Sequence, residues 1–156
     1  MTGTLLELAN VESAYGPVRA LRGVSLTVTK GSIVAVLGAN GAGKTTVLKT
    51  ISGILEPMKG SIAFRGEAVH GADPADIVRR GIGHVPEGRE VFPFLSVRDN
   101  LMMGAYTRRD RDAVRGDLEQ VFEYFPILRE RAGQAAALLS GGQQQMLAIG
   151  RTLMGR

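Results

Sequence analysis

The run Gly38-Ala39-Asn40-Gly41-Ala42-Gly43-Lys44-Thr45 combines glycines, one lysine and one threonine in the order G-x-x-x-x-G-K-[ST]. Glycines let a backbone turn tightly and bring its N–H groups close to an anion. The helix expected to start here points its positive dipole end at the same place. Lys44 supplies a point charge suited to β- and γ-phosphates, and Thr45 a hydroxyl suited to Mg²⁺. Thr46 continues the same helical start. The chemistry implied is the holding of a nucleoside triphosphate, which by itself does not name a reaction.

A second run, Leu139-Ser140-Gly141-Gly142-Gln143, has Ser140 as a natural N-cap with two glycines behind it. It reads as another helix N-terminus open to an anion, or as a plain helix start.

These loops need elements to position them. The short strand candidates Leu5–Leu8 and Val24–Val28 open the chain. Ser32–Leu37 (SIVAVL) is continuously apolar and β-branched, which predicts a strand buried on both faces, as in a parallel sheet. It leads straight into Gly38. Val47, Leu48, Ile51, Ile54 and Leu55 recur at helical spacing, with Gly53 and Pro57 marking a stop. Ser61–Phe64 reads as a strand, and Asp73-Pro74 opens a short helix to Arg80. Ile82–Val85 reads as a further strand. From Ser96 onward the pattern is helical: Ser96 and Asp99 resemble a capping box, and Asp112–Phe125 and Gln143–Met154 read as helices. The expected fold is α/β, with residues 1–95 as a nucleotide-binding core and 96–156 as a helical subdomain. The helices read as an insertion carried by one α/β lobe, with a separate module as the alternative.

With 156 residues, 44% hydrophobic and 22% charged, the chain suits a single globular domain. The absence of cysteine excludes disulfides and thiolate metal sites. No apolar run approaches the roughly 20 residues that span a bilayer, and Met1–Asn10 does not read as a secretory signal. Membrane association would therefore go through a partner. The net charge is +4, and the densest basic cluster, Arg108, Arg109, Arg111 and Arg115, is interleaved with Asp110, Asp112 and Asp117. That pattern reads as a solvated helix face, and no nucleic-acid partner is expected.

The phosphate loop followed by LSGGQ, with helices between, resembles the ATP-binding cassette (ABC) family and its P-loop NTPase fold, a β-rich and parallel-sheet core with a helical subdomain. The resemblance implies ATP and Mg²⁺ as cofactors. Gly38, Ala39, Asn40, Gly41, Ala42, Gly43, Lys44, Thr45 and Thr46 would then hold the phosphates. Ser140, Gly141, Gly142 and Gln143 would contact the γ-phosphate bound by a second ATPase subunit, in a head-to-tail dimer. Tyr15 falls where the family carries an aromatic that stacks on adenine, with Val18 flanking the base; a buried or turn tyrosine is the other reading. Glu87 stands where most members carry a Q-loop glutamine, and as a carboxylate it remains a suitable ligand for Mg²⁺ beside Thr45.

VPEGR, VFPFLSVRDNLMMGA and LSGGQQQMLAIGRTLM resemble the shorter ATPase subunit of branched-chain amino-acid importers. Importers of urea or amides share much of this pattern. The resemblance implies membrane-spanning permease subunits as partners and a cytoplasmic protein, peripheral on the inner face of the membrane. A groove for the permease falls near Glu87–Leu101, where Phe92, Phe94, Leu95 and Val97 suit either a docking surface or a core.

The family's Walker B aspartate and glutamate and its switch histidine lie beyond the signature, and neither His70 nor His84 takes the last role because both precede it. The expectation is a chain truncated before Walker B, its later core strands absent, nearly inactive in hydrolysis alone and with apolar sheet faces exposed. The rival readings are a soluble ABC protein and a non-catalytic nucleotide-binding module.

Overall fold

Strands β1 (Thr4–Tyr15) and β2 (Val18–Thr29) form an antiparallel hairpin in the computed structural model, which describes residues 3–155. Both strands extend well beyond the short predicted segments, and only Gly16 and Pro17 separate the paired residues Tyr15 and Val18. Leu8 and Val11 stand three apart yet are both buried, which strict alternation forbids. A bulge resolves this: Leu8 pairs with Leu26 and Val11 with Val24, so β1 carries one extra residue between them. Asn10 at φ 49° makes that kink, and its N–H donates to Ser25 Oγ at 2.9 Å. Gly60 lies against the bulge, where a Cβ would stand 2.4 Å from the Ala9 carbonyl oxygen. Glycine is therefore required at this close backbone approach.

Strand β3 (Lys59–Phe64) pairs antiparallel with β1 on its other edge, and β4 (Glu67–Ala68) with β3, giving the order β2-β1-β3-β4. Helix α1 (Lys44–Ile51) buries Thr46, Val47, Thr50 and Ile51, one face at helical spacing. Ser13 Oγ in β1 meets Thr50 Oγ1 at 3.3 Å, so the polar atoms on that face are paired. Leu8, Val11, Leu21, Ile62 and Val69 supply the apolar core, and Ile77 of α2 (Pro74–Arg79) is also buried. Asp73 caps α2 by accepting from the Ala75 N–H at 2.8 Å, with Pro74 in the first turn, as the sequence predicts. His70 is structural, with Nδ1 facing the Ile62 backbone at 3.2 Å.

The chain divides between Arg80 and Gly81 into two compact units. The second is helical: α3 (Val97–Gly104), α4 (Arg111–Tyr124), α5 (Pro126–Glu130), a short 3₁₀ turn at Ala136–Leu138 and α6 (Gly141–Leu153). Val114, Leu118, Val121 and Phe122 make the inner stripe of α4 at i, i+4, i+7 and i+8. With Val97, Leu101, Leu128, Leu139, Leu147 and Met154 they form one core. Small residues let α3 and α6 cross closely. A Cβ on Gly104 would stand 1.9 Å from the Arg151 carbonyl oxygen, and one on Gly150 2.9 Å from Leu101 Cδ2.

Two strand expectations are corrected. Ser32–Leu37 has no regular secondary structure and is exposed throughout, with Ile33 at 99% and Leu37 at 89%. Ile82–Val85 is likewise not a strand. An apolar segment becomes a buried strand only where neighbouring strands take up its N–H and C=O groups. Among the described residues, every strand pairing is antiparallel and none involves either segment.

Candidate nucleotide site and signature turn

The phosphate loop follows Ser32–Leu37 and ends at Gly43, the N-cap of α1. Gly43 has φ 90°, a left-handed backbone that side chains rarely adopt. It also packs on β2: a Cβ there would stand 3.0 Å from Leu21 Cδ2 and 3.1 Å from the Ala20 carbonyl oxygen. The start of α1 is thus seated on β2, three residues or about 10 Å of strand from Val18. No side chain caps it and its first turn holds no acidic residue, so the first N–H groups remain for an external acceptor.

Lys44 Nζ folds back over the loop and donates to the Gly38 carbonyl at 2.9 Å and the Ala39 carbonyl at 2.7 Å. The Ala42 N–H donates to the Ala39 carbonyl at 3.1 Å and closes the turn. The ammonium therefore organises the loop and keeps its charge at its mouth. Thr45 is exposed beside it, whereas Thr46 is buried and its carbonyl accepts from Thr50 Oγ1 at 2.8 Å. Thr46 can offer the loop its N–H, but its side chain belongs to the core.

Tyr15 and Val18 face each other across the tip of the β1–β2 hairpin, 45% and 64% exposed. Directly opposed residues share one face of a hairpin. Lys49 of α1 holds its ammonium 6.0 Å from the Tyr15 ring centre. The tyrosine is thus an exposed turn residue rather than a core one.

In the second unit, Glu87 is exposed at a turn. Ser140 and Gln143 form a complete capping box at the start of α6. Ser140 Oγ accepts from the Gln143 N–H at 3.3 Å, and Gln143 Oε1 from the Ser140 N–H at 3.0 Å. The box uses acceptor lone pairs only, which leaves the Ser140 O–H and the Gln143 Nε2 hydrogens as donors. Gly142 is exposed beside them.

Several contributors are not singled out by the sequence. Asn100 is fully buried and holds the preceding loop: its Oδ1 accepts from the Phe92 N–H at 2.8 Å, and its Nδ2 donates to the carbonyls of Phe92, Leu95 and Ser96. A lone asparagine within an apolar helical pattern was the available signal. The four apolar residues of this region separate: Val97 is core, Phe94 is 93% exposed, and Phe92 and Leu95 are partly exposed. Arg108 departs from the solvated-face reading of its cluster. Its guanidinium is nearly buried, pairs with Asp110 and Asp117, and donates to the Met154 carbonyl at 3.1 Å. Those two aspartates hold Arg108 well above its usual pKa, and Arg108 in turn holds Asp110 below the usual carboxylate value.

A glycine loop at the foot of an uncapped helix, on a hairpin-built sheet and with a separate helical unit, is the build of a P-loop nucleotide-binding cassette. The chain belongs to the ABC transporter family, whose model matches residues 21–156. It is 46% identical over 152 residues to the high-affinity branched-chain amino acid transport ATP-binding protein BraG of Pseudomonas aeruginosa, a match covering 97% of this chain and 65% of that protein. It is 33% identical to the probable branched-chain amino acid transport ATP-binding protein LivF of Archaeoglobus fulgidus, covering 96% and 63%. The chain therefore spans just under two thirds of the length of these curated relatives. Among solved structures it resembles a nucleotide-free ATP-binding cassette from an ABC transporter, with a TM-score of 0.82 and 26% identity, covering 98% of this chain and 66% of that one. It also resembles a dimeric bacterial ABC transporter cassette, with a TM-score of 0.84 and 25% identity, covering 97% and 70%.

Proposed function

We propose that this chain is the nucleotide-binding part of an ATPase subunit that powers import of branched-chain amino acids through a membrane ABC transporter. The observation that carries the substrate class is the 46% identity to BraG across nearly the whole chain. What supports the chemistry is the uncapped, glycine-seated start of α1 with Lys44 over it.

In this reading the N–H groups of Gly38–Thr46 and the Lys44 ammonium hold the triphosphate of ATP. Lys44 exchanges its bonds to the Gly38 and Ala39 carbonyls for phosphate oxygens. Tyr15 and Val18 receive the adenine at the hairpin tip. The donors of Ser140, Gly141, Gly142 and Gln143 meet the γ-phosphate of a second subunit, so that ATP joins two copies. The exposed Thr45 hydroxyl at the loop is a hard oxygen donor of the kind Mg²⁺ takes, and the ion would neutralise phosphate charge there; the Glu87 carboxylate, in the second unit, is exposed and of the same donor class.

The permease subunits dock beside Phe92, Phe94 and Leu95, which keeps the protein peripheral on the cytoplasmic face. These 156 residues hold no acidic residue after Glu130, hence no carboxylate after the signature to activate water, and slow hydrolysis by this chain alone is expected.

The test is titration with a fluorescent ATP analogue and Mg²⁺. Saturable binding that weakens about 10- to 100-fold in Lys44→Ala is expected, the range for losing a charge-assisted contact. Equal binding by both proteins would sink the assignment.

A further inference from the structure

Arg89 and Glu90 follow Gly88 with φ values of 62° and 46°, two consecutive non-glycine residues in the left-handed region. Such a conformation persists where the surroundings over-determine it. Here the Arg89 N–H donates to the Pro86 carbonyl at 3.1 Å and the Glu90 N–H to the Gly88 carbonyl at 2.7 Å. Both side chains then engage α6. The Arg89 guanidinium lies over Gly141: a Cβ there would stand 3.0 Å from Nη1, 3.1 Å from Nη2 and 3.3 Å from Cζ. Arg89 Nη1 also donates to Gln144 Oε1 at 3.4 Å, and Gln144 Nε2 donates to the Ala136 carbonyl at 3.2 Å. Further along the helix, Arg151 stacks on the Phe92 ring at 5.2 Å and feels the Glu90 carboxylate.

A cation resting on the positive end of a helix, with no acidic residue in that helix's first turn, is electrostatically unfavourable by itself. Shape and hydrogen bonding must hold it there. Gly141 admits the flat guanidinium, and Gln144 ties it to the turn that precedes Ser140.

We propose that Arg89 is a positioning residue for the signature turn: its guanidinium, on Gly141 and bonded to Gln144, locks the left-handed turn after Glu87 to the helix start that presents Ser140 and Gln143. This rests on the reading that those donors meet the γ-phosphate of a second subunit. Movement at Glu87 would then reach the signature through one side chain, and an arriving phosphate would relieve the charge conflict at the helix end.

The test compares the wild-type chain with Arg89→Met, Arg89→Lys, Gln144→Ala and the Arg89→Met/Gln144→Ala double variant. Hydrogen exchange is read at the Gln143 and Gln144 amides, which bond to Ser140 Oγ and to the Ser140 carbonyl, and Mg-ATP-dependent association by sedimentation. Arg89→Met and Gln144→Ala should each speed exchange at least about fivefold without affecting the amides of Leu118–Phe122. The double variant should add little to the larger single effect. Arg89→Lys should recover part of the loss. Arg89→Met should weaken association at least about fivefold while leaving Lys44-dependent binding of the ATP analogue unchanged. Unchanged exchange, additive effects, faster exchange spread through α4, or unchanged association would each overturn the proposal. Absence of association in the wild type would instead sink the second-subunit reading, and the exchange data alone would then decide the role of Arg89.

Discussion

Helices α1 and α6 both begin in glycines, and both starts are candidate anion sites, but they are built in opposite ways. The α6 start is closed by its own side chains through the Ser140–Gln143 capping box. At its other end the Met154 carbonyl accepts from Arg108. Helix α1 is closed only at its C-terminus. There Gly53, at φ 73°, makes a Schellman turn in which the Ile54 N–H donates to the Lys49 carbonyl at 3.0 Å and the Gly53 N–H to the Thr50 carbonyl at 3.3 Å. Its N-terminus has no side-chain cap. On the proposed function, the site that holds a whole triphosphate is the one that leaves its N–H groups free and keeps its lysine on an exchangeable perch. A site that offers a few donors to a ligand held elsewhere can be pre-formed, with its caps in place.

The change expected to disturb this comparison most is Gly43→Ala. The new Cβ meets Leu21 and the Ala20 carbonyl in a left-handed backbone, so the open helix start is strained and its seat on β2 must give. The expected cost is about 2 kcal/mol of stability, from backbone strain and overpacking together. Binding of the ATP analogue should fall at least about tenfold through the displaced N–H groups. Normal binding with normal thermal stability would show that the seat on β2 is not what keeps this start open.

Arg108→Ala tests the closed end of α6. It removes the bond to the Met154 carbonyl and the ion pair with Asp117, for an expected loss of about 1.5 kcal/mol. The pH dependence has a definite sign. Arg108, and secondarily a backbone hydrogen bond, depress the folded-state pKa of Asp110. That contribution is present above the unfolded carboxylate value near pH 4 and is lost as pH falls through the lower folded value. Thermal melts should therefore show the wild type and Arg108→Ala converging in acid. A gap that widens on acidification would refute the clasp.

How far the sequence exposed these features depends on the range of the interactions that fix them. The phosphate loop, the Asp73, Ser96 and Ser140 caps and the helical run that became α4 are local, and they read directly from residue type and spacing. Ser32–Leu37 reads equally well as a buried strand, but a strand also needs partners, and apolar content cannot supply them. The bulge at Asn10 hides that Leu8 and Val11 share a face, which is why β1 reads shorter than it is. Arg108, Asn100 and Arg89 act on residues 46, 8 and 55 positions away, so their roles stayed hidden although their residue types were in plain view. Short helix α5 was not foreseen, because its five residues from Pro126 to Glu130 complete little more than one turn of periodicity.

Ser140→Ala gives the smallest and most discriminating effect. The alanine deletes the acceptor for the Gln143 N–H while leaving the Gln143 carboxamide bonded to residue 140 through its backbone. Loss of an N-cap typically costs about 1 kcal/mol, and half of this box survives, so the fall should be at or just below that figure in thermal or urea unfolding. Because α1 relies on no such cap, binding of the ATP analogue by the same chain should be unaffected. Mg-ATP-dependent association should weaken instead, since the hydroxyl lost from the cap is also the donor that the proposed function offers to a second subunit's phosphate. A fall in both binding and association would mean that the two helix starts are not independent, and the division of labour drawn between an open and a closed start would fail.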